Sequence, residues 1–203
     1  MIPSLARTEH STDWELAQRA AEGERQAQQI LFARLKTAVH ATLYRVLGSN
    51  RHMEDLLQEC FIEVFRSLPS FRGEAKLTTW ADRIAVRVAF HYLGRQSGHE
   101  LRELESEPPS LRLVGSPEDD AWHREGVARV YAALGKLKPE YRIAFALFAL
   151  DGRSIEEVAA ITGVSLVAAK SRISRGRHKL WAAARKDDVL MTYLVEQVEG
   201  EAG

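Results

Sequence analysis

Between residues 165 and 180, hydrogen-bond donors recur at helical spacing: Lys170, Ser171, Ser174 and Arg175, with Arg177 and His178 beside them. Ammonium, guanidinium and hydroxyl groups in that pattern bind phosphate oxygens and the acceptor edges of bases. Ala169, Ile173, Gly176 and Leu180 fall on the other side, so the segment reads as an amphipathic helix with a packing face and a basic face. Lys170 and Arg175 lie five residues apart, about 500° around a helix, and so flank a stripe centred on Ser171 and Ser174. Ser154-Ile155-Glu156-Glu157 is a capping box, Gly163 allows a sharp turn and Ser165 caps the longer helix beyond it. A short capped helix, a glycine turn and a longer basic helix form the helix-turn-helix pattern that enters a major groove; a basic, solvated helix in an ordinary bundle is the alternative.

A second basic stripe recurs every four residues at Arg83, Arg87, His91 and Arg95, opposite an inner face of Trp80, Ile84, Ala85, Val88 and Tyr92. Just before it lies the loop Phe71-Arg72-Gly73-Glu74-Ala75-Lys76. Cations beside an aromatic-bearing loop suit single-stranded DNA, with phosphate on the basic side chains and an unstacked base on a ring; a solvated arginine face beside a surface loop is the alternative. A third stripe has another character. Asp55, Gln58, Glu59, Ile62 and Arg66 share the outer side of a helix whose inner side is Leu57, Phe61, Val64, Phe65 and Leu68. Ile62, apolar among acids and an amide, either centres a small protein–protein contact or is a single exposed isoleucine that needs no special role.

Covalent chemistry has no comparable footing. The histidines (10, 40, 52, 91, 99, 123 and 178) include no pair three or four apart, and no phosphate-cradling glycine loop or Gly-x-Ser-x-Gly elbow occurs. The single cysteine, Cys60, beside the buried stripe, reads as a core thiol, and the four tryptophans as packing. No catalytic residue, metal or cofactor is expected.

The elements that must position these stripes are helices. Apolar residues three and four apart mark 13–23, 24–47, 53–68 and 79–96, then 117–135, 139–150, 154–162 and 165–185. Between 97 and 116 the periodicity collapses into Gly, Pro and glutamates, a flexible acidic linker. The expected fold is all-α: two small helical domains on that tether. The segments are 1–23 with a first helix, 24–96, the linker 97–116, 117–186 and an acidic tail 187–203.

The 203 residues carry 28 basic and 28 acidic side chains, which excludes a uniformly basic coat. By segment the net charge is +1 over 1–100, −4 over 101–125, +8 over 126–186 and −5 over 187–203. A compact basic module flanked by acid suits a nucleic-acid-binding domain whose non-specific affinity is held in check. In the tail, Val189, Leu190, Tyr193, Leu194 and Val198 share one helical face. This face is expected either to dock on the same chain near the basic helix and damp DNA binding, or to remain a solvated, frayed terminus. With no signal-peptide layout and no apolar run long enough to span a bilayer, a soluble cytoplasmic protein without membrane insertion is expected.

Asp55-Leu56-Leu57-Gln58-Glu59-Cys60-Phe61, Phe71-Arg72-Gly73, Thr79-Trp80 and Ile84-Ala85 resemble conserved region 2 of the extracytoplasmic-function (ECF) sigma factors of bacterial RNA polymerase. Ser154-Ile155-Glu156-Glu157-Val158-Ala159 and Lys170-Ser171-Arg172-Ile173-Ser174-Arg175 resemble region 4 of the same family. The resemblance covers about 24–96 and 126–185 and implies roles. Asp55, Gln58, Glu59 and Ile62 would dock on the clamp helices of the largest polymerase subunit, with the flap region as a further contact. Phe71, Arg72, Gly73, Lys76, Trp80, Arg83, Arg87 and His91 would melt and hold the −10 promoter element. Lys170, Ser171, Ser174, Arg175 and Arg177 would read the −35 element in duplex form. The implied partners are core RNA polymerase, promoter DNA and, for some members, an anti-sigma factor. Arg87 and His91 stand where the family usually has Asn and Asp, and Ala168-Ala169 where it has Thr-Val. On the residues alone, a stand-alone helix-turn-helix regulator binding duplex operators remains the alternative; it needs neither the Asp55–Glu59 stripe nor the Phe71 loop.

Overall fold

The computed structural model describes residues 4–96 and 117–200, with side chains over 12–96 and 121–197; every regular element among them is helical. The amino-terminal unit comprises α1 (Ser4–Ala21), α2 (Arg25–Leu47), α3 (Met53–Ser67) and α4 (Leu77–Gln96), with a 3₁₀ turn at Leu68–Ser70. The carboxy-terminal unit comprises α5 (Pro117–Gly135), α6 (Pro139–Phe145), α7 (Ile155–Thr162), α8 (Leu166–Ala184) and α9 (Asp188–Gly200). A π-turn, Ala146–Leu150, extends α6. The linker expected at 97–116 lies outside the described residues. The first helix begins at Ser4, well before the expected residue 13, and its Leu16, Ala17 and Ala20 join the core of α2–α4. It therefore belongs to the amino-terminal domain.

The core of that domain is built on α2, whose Leu31, Leu35, Val39, Leu43 and Val46 are wholly buried. The buried side of α3 is Met53, Leu56, Cys60, Phe61 and Val64. Leu57 and Phe65, expected inside, are only half-buried. The reason is that α3 packs against both α2 and α4, so its covered arc is wider than one stripe and is shifted onto Leu56 and Cys60. Burial, with the Glu59 charge adding to it, pushes the Cys60 thiol up to about 12, which keeps it protonated and inert.

The local signals of the carboxy-terminal domain hold in space. The Ser154 hydroxyl accepts from Glu157 N (3.2 Å) while the Glu157 carboxylate accepts from Ser154 N (2.9 Å). Gly163 turns the chain at φ +68°, and Ser165 Oγ accepts from Ala168 N (3.2 Å). On α8, a Cβ at Gly176 would lie 2.8 Å from the Phe145 side chain and 3.1 Å from Tyr141 O, so only glycine lets α6 and α8 approach this closely.

The two domains form one closed body with a shared core that runs from α2 and α4 to Ile143, Leu147, Val158 and Ile161. The carboxy end of α2 is the anchor, because a helix end leaves carbonyls unpaired. Arg142, buried on α6, fills two of them: Nε donates to Val46 O (2.9 Å) and Nη2 to Leu47 O (2.8 Å). Tyr131 Oη donates to Arg45 O (3.0 Å), and its ring occupies the place where a Cβ on Gly48 would stand (2.2 Å). Gly48, at φ +66°, is thus required both by the helix end and by the neighbouring domain. Beside this anchor runs a chain of charge: Arg45 pairs with Asp151, and Arg153 reaches Asp151 (2.7 Å) and Asp82 (3.0 Å).

Asp82, fully buried on α4, accepts from Thr42 Oγ1 at 2.8 Å. Desolvation is the largest influence on its carboxyl and holds it above the ordinary aspartate value; Asp151 and Glu157 push the same way, against Thr42 and Arg153. A carboxyl with a raised pKa in the closed form takes up a proton more readily there than in any form that exposes it to water. Asp82 therefore favours closure at low pH, and that contribution is lost as the pH rises through its raised value. Lowering the pH from neutrality toward the ordinary carboxylate range is expected to stabilise the closed form, read as the distance between labels on the two domains. Asp82→Asn, which can keep the Thr42 bond, should flatten that response; an equal pH response in Asp82→Asn would assign it to other groups.

Candidate polymerase and nucleic-acid interface

The α3 stripe is presented to solvent. Asp55 and Gln58 are exposed, Ile62 is 52% exposed, and half-buried Glu59 lies 3.8 Å from Arg95 of α4. The apolar part of this surface extends beyond Ile62. Phe32 of α2, 40% exposed, packs on Phe61 with ring centroids 4.4 Å apart, and Lys36 Nζ lies over its ring. The sequence reading missed Phe32. Its signal was a large aromatic one step off the Ala27–Leu31–Leu35 stripe.

The second surface combines α4 with the loop before it. Arg83, Arg87 and His91 are exposed along α4, as are Arg72 and Lys76 in the loop. Phe71 is not a free ring: it is 4% exposed and packs on half-buried Trp80 at 5.3 Å, which corrects its expected place as a stacking surface for a base. It anchors the loop from inside. Gly73 turns at φ +70°, and a Cβ there would stand 3.2 Å from Trp14 Cβ, so an exposed tryptophan from α1 lies over the loop instead. Asp13, next to it, accepts from Leu77 N (3.2 Å) and pairs with Arg34 (2.7 Å), fixing the start of α4 from 64 residues away.

On α8, Lys170, Ser174, Arg175 and Arg177 are exposed and Ser171 is half-buried, while Ala169, Ile173, Gly176 and Leu180 are buried, as the pattern required. Arg175 is partly engaged: its Nη1 donates to Tyr141 Oη (2.9 Å) and its guanidinium lies over the same ring. The tail docks on its own chain, but away from this face. In α9, Leu190 and Tyr193 pack with Val127 and Val130 of α5 and with Leu180 and Ala184 at the far end of α8. Val198 lies outside the described side chains. Between the second and third surfaces runs a cleft of about 510 Å³, rimmed by Arg83, Arg87 and Arg172 around Phe90 and Val164. Among the described residues no group of His, Cys, Asp and Glu is placed to hold a metal ion, and no helix is long and apolar enough to cross a membrane.

Comparison with known proteins decides what these surfaces belong to. Residues 31–99 match the Sigma-70 region 2 family and residues 128–180 the Sigma-70, region 4 family. The ECF RNA polymerase sigma-E factor of Escherichia coli (strain K12) is 32% identical over 181 residues, 85% of this chain and 94% of that protein. The chain belongs to the ECF sigma factors. The sigma-E factor of Haemophilus influenzae is 33% identical over 180 residues, 85% of this chain and 95% of that protein. Among solved structures, CnrH in complex with the cytosolic domain of CnrY matches with TM-score 0.60 and 28% identity, over 86% of this chain and 98% of that one. The sigma factor RpoE in complex with the anti-sigma factor NepR, from Bartonella quintana, matches with TM-score 0.55 and 25% identity, over 77% and 95%. As an ECF sigma factor, the protein directs core RNA polymerase to promoters, and a stand-alone operator-binding regulator is not favoured.

Proposed function

We propose that this sigma factor works in the cytoplasm without chemistry of its own, docking on polymerase through α3, gripping melted −10 DNA through α4 and its loop, and reading the −35 duplex through α8. The observation that carries this division is the order of the surfaces: an acidic stripe around an exposed Ile62, then two basic faces on separate domains. Arg72, Lys76, Arg83, Arg87 and His91 serve the single strand, with Phe71 and Trp80 as supports. Lys170 and Ser171 sit near the helix entry and serve base edges, and Arg175, held by Tyr141, serves phosphate.

The closed body cannot engage both elements at once. The −10 and −35 elements lie about 25 base pairs apart, about 85 Å of duplex. A compact chain of this length has a radius of gyration of only about 17 Å. Polymerase binding therefore goes with separation of the domains. The cleft between Arg83, Arg87 and Arg172 suits an acidic amphipathic segment. A partner of the anti-sigma kind seated there would hold the chain closed; one similar sigma factor, RpoE of Bartonella quintana, was solved in complex with an anti-sigma factor.

Run-off transcription by core polymerase plus the purified protein, on the promoter of its own operon, tests the reading. No transcript, with tight binding of duplex by the protein alone, would overturn it. The α3 assignment has its own check. Asp55→Ala with Glu59→Ala is expected to weaken binding to core about tenfold or more, the equivalent of ~1.4 kcal/mol. Thermal stability should hardly move, since the Glu59–Arg95 contact is an exposed pair of little worth. Unchanged affinity for core would remove α3 from the docking surface.

A further inference from the structure

Val167 is 77% exposed and Leu166 40% exposed, in the first turn of α8. A β-branched residue there gains nothing from packing and is a poorer helix former than Ala, Lys or Glu. Its position on the helix is specific. Ser171 lies 40° from it around the axis and Ser174 about 20° on the other side, with Lys170 at 60°, at about 100° per residue. Val167 therefore heads the polar, basic stripe, one turn nearer the amino terminus of α8, the end of a recognition helix that meets base edges. Its neighbours on the helix surface, Lys170 and Ser171, and Ser174 and Arg175 about two turns on, are donors suited to DNA, which a docking site for an apolar protein segment would not require.

The major groove offers one apolar feature, the 5-methyl group of thymine, and small apolar side chains contact it. We propose that Val167, flanked by Leu166, reads the 5-methyl group of a thymine in the upstream promoter element. The inference rests on α8 being the helix that reads the duplex and names a base class that its cationic and hydroxyl residues do not select. Ala168 next to it, half-buried, leaves the methyl group room to approach.

The probe is a duplex containing the −35 sequence selected by the holoenzyme from a randomised element, resynthesised with deoxyuridine at one thymine at a time. Uracil keeps every hydrogen-bonding group of thymine and lacks only the methyl. One such replacement should weaken holoenzyme binding about fourfold, the worth of one buried methyl group. In Val167→Ala the parent sequence should bind correspondingly more weakly and the uracil penalty should vanish, while the base preference that Lys170→Ala removes stays intact. The proposal falls if no uracil replacement matters, if Val167→Ala keeps the full penalty, or if the selected element has no thymine on either strand. It also falls if Val167→Ala weakens binding to core polymerase without DNA, because the valine then faces protein. If instead alanine at Lys170, Ser171, Ser174 and Arg175 leaves every base preference unchanged, the reading of α8 as the recognition helix has failed, a separate outcome.

Discussion

Arg142→Ala is expected to open the two domains. Arg142 is 8% exposed, and its guanidinium spends both of its described bonds on the last carbonyls of α2. Burial lowers its pKa to about 10, so it is still charged at neutral pH and these are charge-assisted bonds. Each is worth roughly 1.5–3 kcal/mol, and removing their donor leaves two carbonyls facing an interface with nothing to pair with. Water reaches them only if the domains part. The expected loss is about 3–5 kcal/mol of closure, set against the remaining apolar contacts of Leu147, Val158 and Ile161. Labels at the exposed positions Gln29→Cys and Ala182→Cys report the separation, since Cys60 is buried and its thiol stays protonated. The variant should show longer and broader distances than the parent. Its affinity for core polymerase should rise, because the binding-competent open form no longer has to be drawn from a minor population. Gly48→Ala, which drives a methyl into the Tyr131 ring, should act in the same direction by a different contact. Unchanged distances in both variants would mean that apolar packing alone sets the closed form.

What the sequence makes legible here is local. The ends of α2 at Leu47 and of α5 at Gly135 coincide with the periodic runs, because glycine and capping residues act on their own turn. The division of α8 into buried and exposed faces was readable although four helices contact it, because Ala169, Ile173, Gly176, Leu180 and Ala184 all fall on one side. The α3 stripe was off by one position at Leu56 because two helices cover it, and periodicity records only that an arc is buried, not how many neighbours share it. Contacts between distant segments left no local trace. Asp13 supporting Leu77, Tyr131 seated on Gly48 and Arg142 ending α2 each join residues more than sixty apart, between elements that look complete alone. The candidate site divides along the same line. Exposed donors such as Lys170 and Arg87 were found as types on a face. The burial of Phe71 and the exposure of Phe32 and Trp14 depend on which neighbour arrives from elsewhere.

Removing residues 187–203 is expected to unsettle region 4 and lower DNA binding, contrary to the inhibitory role that the acidic charge of this tail suggests. Leu190 is 2% exposed and Tyr193 5%, and the Tyr193 ring fills the space where a Cβ on Gly126 would stand at 2.1 Å. Polar contacts lie around this apolar seat: Trp122 Nε1 donates to Glu196 (2.7 Å), Arg129 pairs with Asp187 (3.0 Å), and Tyr193 Oη meets the His123 ring at 3.2 Å. The Trp122–Glu196 bond is exposed and the Arg129–Asp187 pair only part-buried, so both add little. The apolar burial dominates: two large side chains at about 1.5–3 kcal/mol each, or roughly 3–6 kcal/mol in all. That is a large fraction of the stability of a small domain. Leu190→Ala alone should cost about 2–5 kcal/mol. Because α9 covers the Leu180–Ala184 end of α8, its loss frays the helix that carries Lys170 and Ser171 from the opposite end. The measurements are thermal or denaturant unfolding of the full and truncated chains, alongside affinity for −35 duplex at one salt concentration. The truncated chain should melt earlier and bind the duplex more weakly. If it melts as the full chain does and binds more tightly, α9 shields DNA binding after all, and its packing on α5 is incidental to the stability of the recognition helix.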